Sequence, residues 1–491
     1  MVHGKQFAIL PQPIALEGYL NRPLSDGMIL SYHRDLPVTV SPDTETILLG
    51  HAWNAYADGE DPASAVARLR DEKELLEAEC AWCGRYVVVF HGIVYTDVTA
   101  SMPVFYADEG VTGDIRFLAD LDSHPRNGLE LADKVKWFPG PTTAFEGIRR
   151  LLPSQSYDYR KKKTAFRNPL SSRVPDGKTY EELRASIFRA LVSSTINMHR
   201  HFKDQRLIVA LTGGYDSRLS FAALQHVSRE YPFSAYTMEH DHLSKEDSEN
   251  PPLLCKMVNV PFYYGKRDSC RFSKERDRAY REHLSGMVME EDQRFYAYGQ
   301  YDGLLSPGEK GVLIRSNFFT LAYASIAQQR AVGNEVNISD FFSNYEISPH
   351  SPAAKAFSAF FDWTKQHPLP ISDTNRFYWE QKLACWSAEN DRGYDIYDRL
   401  TPIQMGNCRD LATMLLKIPP ENKIGKKHQA DLINMLCPEI ASVPYSAIKS
   451  GASGMFAKGL EAVGKAWKKA RKIGFTRTAQ YYFSKVFSHK K

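Results

Sequence analysis

Runs of β-branched and aromatic residues fill the first third of the chain, and near residue 178 a three-to-four-residue apolar period takes over. In the first part, GRYVVVF (84–90) and GIVYTDV (92–98) flank His91 and predict a hairpin. Ahead of them, DPASAVARLRDEKELLEA (61–78) has helical spacing. WFPGPTTAFEGIRRLLPSQSYDY (137–159) is rich in Pro and turn residues and ends on an extended run. Residues 160–180 are basic, then rich in Ser, Pro and Gly, and read as a linker.

The second pattern opens with YEELRASIFRALVSSTINMHRHF (180–202), a long amphipathic helix. RLIVAL (206–211) follows as a buried strand, then TGG, then the helix DSRLSFAALQHVSRE (216–230). FSAYTM (233–238) is a second strand, a helix runs through 247–258, and NVPFYYG (259–265) is a third strand-like run. Strands alternating with helices predict a parallel sheet covered on both faces. Residues 270–450 read mainly as helices, and no internal repeat is present. The fold class expected is therefore an α+β domain of antiparallel sheets (1–170), then an α/β parallel-sheet domain with many helices (171–450). A tail (451–491) follows.

Composition adds little beyond a folded, soluble chain: 43% apolar and 24% charged. No stretch approaches the roughly 18 uninterrupted apolar residues of a membrane span. The apolar run near the N-terminus is broken by prolines and carries no cleavage pattern, so no signal peptide is expected. Seven scattered cysteines form no disulfide framework, and a reducing cytoplasm is the expected location.

Charge changes the picture more. The net +4 conceals a tail of +9 over residues 458–491 and a body of −5. Leu460, Val463, Trp467, Ile473 and Phe475 alternate with the tail's lysines. Such a helix can pack on the body, lie on the inner face of an anionic membrane, or bind an acidic partner. Nucleic acid is not expected, since no recognised module accompanies the charge. Pairing with a second copy of the chain stays open.

TGGYDS (212–217) carries the chemistry. A phosphate cradle needs bare backbone facing oxyanions and N–H groups from a helix N-terminus. Gly213 and Gly214 supply the first, the helix after them the second, and Ser217 a hydroxyl donor. Asp216 suits the helix dipole and can hold a magnesium ion on the phosphates. The bland alternative is a Gly-Gly turn capped by Asp and Ser. Walker A spacing and the dinucleotide fingerprint are both absent.

TGGYDSRLSFAAL resembles the pyrophosphate-binding loop, usually S-G-G-x-D-S, of the asparagine synthetase family of ATP pyrophosphatases, with Thr212 for Ser. FSAYTM and Asp247 resemble its next strand and helix start. GRYVVVF, TDVTASMPVFY (96–106) and FPGPTTAFEGIRRLLPSQSYD resemble the glutaminase-like domain that precedes it. The likeness runs from about 40 to 440 and is strongest at 207–224. It implies ATP and Mg2+ as cofactors, with Leu211, Thr212, Gly213, Gly214, Tyr215, Asp216, Ser217, Thr237 and Arg315 around the nucleotide and Asp216 on the metal. It further implies a ligase joining a carboxylate substrate (peptide, sugar or small amino acid) to an amine donor through an acyl-adenylate. A lysine before a C-terminal helix would act on the adenylate. Lys423, Lys426 and Lys427 are candidates, with Lys426 and Lys427 preferred, and Arg409 is a candidate phosphate contact.

Two departures matter. Family members that hydrolyse glutamine use an N-terminal cysteine, whereas Val2 follows Met here and no cysteine precedes Cys80. Glutamine hydrolysis is thus not expected, a pattern resembling the β-lactam synthetase and lasso-peptide cyclase branches. The family's S-G-x-G-x-D-E stretch has its nearest counterpart in GVLIRSNFFTLAYA (311–324), which offers Arg315 and Asn317 but no acid. Glu291 or Asp292 would have to substitute; otherwise the chain is a catalytically impaired scaffold that keeps a phosphate loop. Cys80 and Cys83 stand alone as C-x-x-C and read as ordinary thiols. His240, Asp241 and His242 read as a polar loop near the nucleotide rather than a metal site.

Overall fold

The computed structural model describes residues 4–119, 123–129, 135, 137–239, 243–265, 304–322, 338–396 and 399–445. The basic tail, Glu291, Asp292, His240, Asp241 and His242 lie outside these.

Up to residue 166 the chain builds two antiparallel six-stranded sheets. Its strands are β1 (Phe7–Leu10), β2 (Tyr19–Pro23), β3 (Ile29–His33), β4 (Val38–Val40), β5 (Ile47–Asn54), β6 (Trp82–Phe90), β7 (Ile93–Thr96), β8 (Phe105–Ala107), β9 (Gly110–Thr112), β10 (Arg149–Arg150), β11 (Gln155–Asp158) and β12 (Lys163–Phe166). One sheet has the order β10-β8-β9-β1-β3-β2, the other β12-β11-β7-β6-β5-β4. Phe7, Ile9 and Leu30 of the first share a core with Leu49, Val87 and Val89 of the second. The opposite face of β6, through Tyr86, Val88 and Phe90, is covered by Val66, Leu69 and Leu75. Burial on both faces is why VVVF reads as a continuous apolar run.

The predicted hairpin is present: Phe90 pairs with Ile93 across a two-residue turn. His91 (φ 47°) and Gly92 (φ 77°) both take the positive φ that such a turn demands. Two expectations are corrected. The helical pattern 61–78 is split into α1 (Pro62–Val66) and α2 (Glu72–Ala78), because Asp71 accepts the backbone N–H of Glu74 at 2.8 Å and starts a new helix. The linker assigned to 160–180 contains β12, paired with β11, and the buried Arg167 and Ser171. Lys163 takes a solvent-facing position of this edge strand, and lysine there is a usual guard against edge pairing.

The later part is a five-stranded parallel sheet, β15-β14-β13-β16-β17. Its members are β13 (Arg206–Ala210), β14 (Ser234–Met238), β15 (Phe262–Gly265), β16 (Gly311–Arg315) and β17 (Leu400–Gln404). The helices that matter here are α3 (Tyr180–His201), α4 (Tyr215–His226), α5 (Lys245–Met257), α6 (Arg409–Leu416) and α7 (Lys427–Leu436). Thr179 and Glu182 form a capping box at the start of α3. β16 and β17 interrupt the stretch expected to be mainly helical. After β13 the chain places β14 and β15 on one side, then returns to the other with β16. The loop after β13 therefore leaves the sheet at a topological switch point, where open parallel sheets form a crevice at their carboxyl ends. No described helix is long and apolar enough to cross a membrane.

The two parts share a core. Trp53, Cys83 and Val98 pack in one cluster with Leu191, Leu411 and Leu415. Buried ion pairs also cross the boundary: Arg85 to Asp395 at 2.6 Å, Arg392 to Asp114 at 3.3 Å, and Arg150 to Glu389.

Candidate functional site

The buried run Leu207–Ile208–Val209 fixes β13 at the centre of the sheet, and the Leu211 N–H still donates to Tyr236 O at 2.9 Å. Thr237 is buried and its hydroxyl donates to Leu211 O at 2.7 Å, so it braces the root of the loop. Thr212 N–H donates to Ser217 Oγ at 3.0 Å, and the two hydroxyls lie 2.9 Å apart. Gly213 N–H donates at 2.9 Å to Asp247 Oδ1 from the first turn of α5. These bonds bend TGG into a hoop over the start of α4.

Gly214 is the N-cap of α4, and no side chain caps that end. Its φ of −79° is ordinary, and a Cβ there would meet only Thr212 Oγ1 at 3.5 Å. Neither backbone strain nor crowding within the chain demands glycine at 214. A bare backbone beside an uncapped helix N-terminus is what an approaching oxyanion uses. Gly214→Ala is accordingly expected to leave the melting temperature within about 2 °C while weakening MgATP binding at least tenfold, by calorimetric titration. Equal affinity in both proteins would remove the loop's phosphate role.

In the first turn of α4, Asp216 meets two residues from far along the chain. Lys426 Nζ lies 3.6 Å from its Oδ2, and Gln429 Nε2 donates to its Oδ1 at 2.7 Å. Burial pushes the Asp216 carboxyl above its ordinary range, and Lys426 and then Gln429 pull it part of the way back. Gln429, fully buried in α7, also donates to Phe319 O at 3.3 Å. Lys426 reaches inward because Gly425 (φ 60°, ψ 12°) and Lys426 itself (φ 60°, ψ 31°) are both left-handed just before α7. A lysine in that conformation costs about 1 kcal/mol or more, the kind of strain that clusters at working sites.

Lys427, the next residue, does not join them: its amine pairs with Asp431 on its own helix and lies 5.1 Å from the Tyr180 ring. Lys423 donates to Leu416 O at 2.8 Å, and burial lowers its amine to about 8. Tyr215 stacks on Tyr445 at 3.8 Å, and Lys426 Nζ lies 5.3 Å from the Tyr215 ring centroid. The buried Arg218 donates to Val443 O, Pro444 O and Gly213 O, tying the loop to residues 443–445.

The remaining candidates are engaged elsewhere. Arg315 ends β16, adjacent to β13, but its guanidinium lies 3.5 Å from Asp391 and over Tyr394. Asn317 donates to Ser387 Oγ at 2.7 Å, and Ser316 to Ser220 Oγ at 2.8 Å. Arg409 is buried against Glu79 at 2.8 Å, and so is a structural ion pair rather than a phosphate contact. Cys80 and Cys83 are free, buried thiols. Among the described residues, no group of three or more His, Cys, Asp or Glu gathers as a metal site would. Sequence reasoning missed Gln429 and Arg218. The one signal for Gln429 was its place one turn after the candidate lysines; Arg218 carried none beyond its place in the loop's helix.

No family model and no curated protein matches this sequence. Among solved structures, it is similar to a glutamine-dependent NAD+ synthetase from Acinetobacter baumannii in complex with ADP, at 16% identity and TM-score 0.21, covering 57% of this chain and 50% of that one. A U34-tRNA thiolase from Methanococcus maripaludis gives 12% identity and TM-score 0.23, over 63% of this chain and 82% of that one. The NH3-dependent NAD synthetase from Campylobacter jejuni subsp. jejuni NCTC 11168 gives 13% and 0.19, over 40% and 90%. The chain thus spans half the length of the first of these. Overlaps this thin decide nothing about the site, which rests on its own geometry.

Proposed function

We propose that the chain is an ATP-dependent ligase of the asparagine-synthetase type, with a glutaminase-like N-terminal domain that no longer hydrolyses glutamine. The observation that carries this reading is Asp216, set in a glycine hoop at the sheet's switch point and facing Lys426 at 3.6 Å. In the proposed reaction a substrate carboxylate attacks the α-phosphorus of ATP. The bond to the β-phosphate oxygen breaks, pyrophosphate leaves, and an acyl-adenylate forms. An amine then attacks the acyl carbon, AMP departs with the bonding pair, and the amine's proton is lost to solvent.

The N–H groups that open α4, with the Ser217 hydroxyl, would donate to pyrophosphate oxygens, the Gly213 and Gly214 N–H groups would join them on leaving Asp247 and Thr212, and Leu211 and Tyr215 would flank them. The donor set at the loop fits a magnesium ion, which is commonly held by one or two carboxylates and completed by phosphate oxygens. Asp216 would hold it, and the ion would neutralise charge on the departing pyrophosphate. Lys426 would stabilise the same charge. Much of the remaining acceleration would come from holding the amine against the adenylate, worth several kcal/mol.

The second reading, a scaffold that keeps a phosphate loop, is favoured by one observation: Arg315 and Asn317 are occupied by Asp391 and Ser387 rather than facing the hoop. Pyrophosphate release from MgATP, screened with pools of carboxylates and amines beside Asp216→Ala, separates the two. Substrate-dependent release that the variant lacks is expected. Equally poor MgATP binding by wild type and variant would establish the scaffold instead.

A further inference from the structure

Arg218, in the first turn of α4, ties the hoop to a segment 225 positions later. Its side chain is fully buried and pairs with no carboxylate among the described residues. The guanidinium donates instead to three carbonyls, Val443 O at 2.6 Å, Pro444 O at 3.0 Å and Gly213 O at 3.2 Å, and lies 4.0 Å from the Tyr445 ring centroid. Tyr445 also stacks on Tyr215, the first residue of α4, with the two ring planes 4° apart. One side chain thus holds two residues of the turn that opens the helix. The same segment is pinned from α5. Asn250 Nδ2 donates to Pro444 O at 2.9 Å, and Asp247, three residues earlier on that helix, accepts the Gly213 N–H at 2.9 Å. Both polar groups of Gly213 are therefore referred to residues 443–445, the carbonyl through Arg218 and the N–H through α5.

A guanidinium on Gly213 O has two effects. A trans peptide sets its C=O and N–H in opposite directions, so fixing Gly213 O fixes where the Gly214 N–H points. A charged donor on the carbonyl also polarises the amide and makes that N–H a stronger donor. In this structure the Gly214 N–H rests on Thr212 Oγ1 at a long 3.3 Å, a bond that a phosphate oxygen can replace. We propose that Tyr445 is a positioning residue for the hoop: through Arg218 and Tyr215 it sets the Gly214 and Tyr215 N–H groups to receive a pyrophosphate oxygen. The inference rests on the reading of TGGYDS as a pyrophosphate loop. Tyr445 itself touches no reacting atom, and it lies outside every stretch that marks the loop in sequence.

Magnesium pyrophosphate is the probe, titrated calorimetrically into the full chain as wild type, Tyr445→Phe, Tyr445→Leu, Tyr215→Leu and the double Leu variant. Wild type should bind saturably. Phenylalanine keeps the ring, so Tyr445→Phe should stay within threefold of wild type. Leucine removes both the stack and the ring beside Arg218, so Tyr445→Leu should bind at least tenfold more weakly, with a melting temperature lower by no more than about 3 °C. The double variant should be no more than threefold weaker than the weaker single one, because residues that act through one contact are not additive. No saturable binding by wild type would overturn the reading of the loop and this assignment with it. Saturable binding by wild type, with Tyr445→Leu within threefold of it, would overturn the assignment alone. So would a loss in Tyr445→Phe as large as in Tyr445→Leu, or full additivity in the double variant. A loss accompanied by a fall of about 10 °C or more would mark a merely structural part and overturn it too.

Discussion

Lys426→Met should slow substrate-dependent pyrophosphate release by about 10²–10³-fold, the usual consequence of removing one preorganised charge from a developing oxyanion. Thermal stability should hardly change, since Lys426 lies in a left-handed pair before α7 and is no part of the core. The same variant has a second signature. Burial already raises the Asp216 carboxyl, and the Lys426 ammonium opposes that rise. With the ammonium gone the carboxyl rises further, so it ionises only at higher pH. The acid limb of MgATP binding must therefore shift upward, not downward. Linkage gives a companion sign: a carboxyl raised on folding favours the protonated folded state, so its contribution to stability is lost as pH rises through the folded value. Asp216→Asn should then melt no lower than wild type at neutral pH while losing MgATP binding. Release rates for Lys426→Met within threefold of wild type would remove the lysine from the mechanism.

The largest stability effect is expected at Asp395. Its two oxygens receive Arg85 at 2.6 and 2.8 Å, and Gln6 donates to it as well. Asp395→Ala leaves the buried Arg85 guanidinium without its counter-ion, a change that costs about 3–5 kcal/mol. Replacing both partners, Arg85→Met with Asp395→Leu, should recover most of that loss, because the desolvation of both charges disappears with them. Urea unfolding of the single and double variants measures this directly. A double variant as unstable as the single would show that the pair itself, and not the orphaned charge, carries the effect.

Much of this layout was legible because local pattern and tertiary role agree. RLIVA lies in the centre of a covered sheet, so its apolar run had one reading. The turn at His91 and Gly92 was marked by residue type alone. Where the two disagree, the sequence misleads. LTPIQ, the strand β17, fell in a stretch expected to be mainly helical and holds Pro402, but it is an edge strand, where a missing N–H is tolerated. KTAF looks like a linker because it follows two other lysines and its own, Lys163, faces water. At the site, TGGYDS was legible from its small residues. What distinguishes Lys426 from Lys427 is a pair of backbone angles, which no composition records. Gln429 acts on a carboxylate 213 positions away, and its amide carries no mark of that in one dimension.

The shared cluster of Trp53, Cys83 and Val98 with Leu191, Leu411 and Leu415 has a thermodynamic meaning. Pattern divides the chain in two, and the N-terminal part has a core of its own around Phe7, Leu49 and Val87, but the apolar contacts at the junction are held in common. Severing it near residue 170 would strip Val98 and Trp53 of the helices that cover them and leave charges such as Arg85 and Asp114 facing empty space. The two halves are thus expected to unfold as one cooperative unit, in a single calorimetric transition. The later half keeps part of its core only in the company of the N-terminal half.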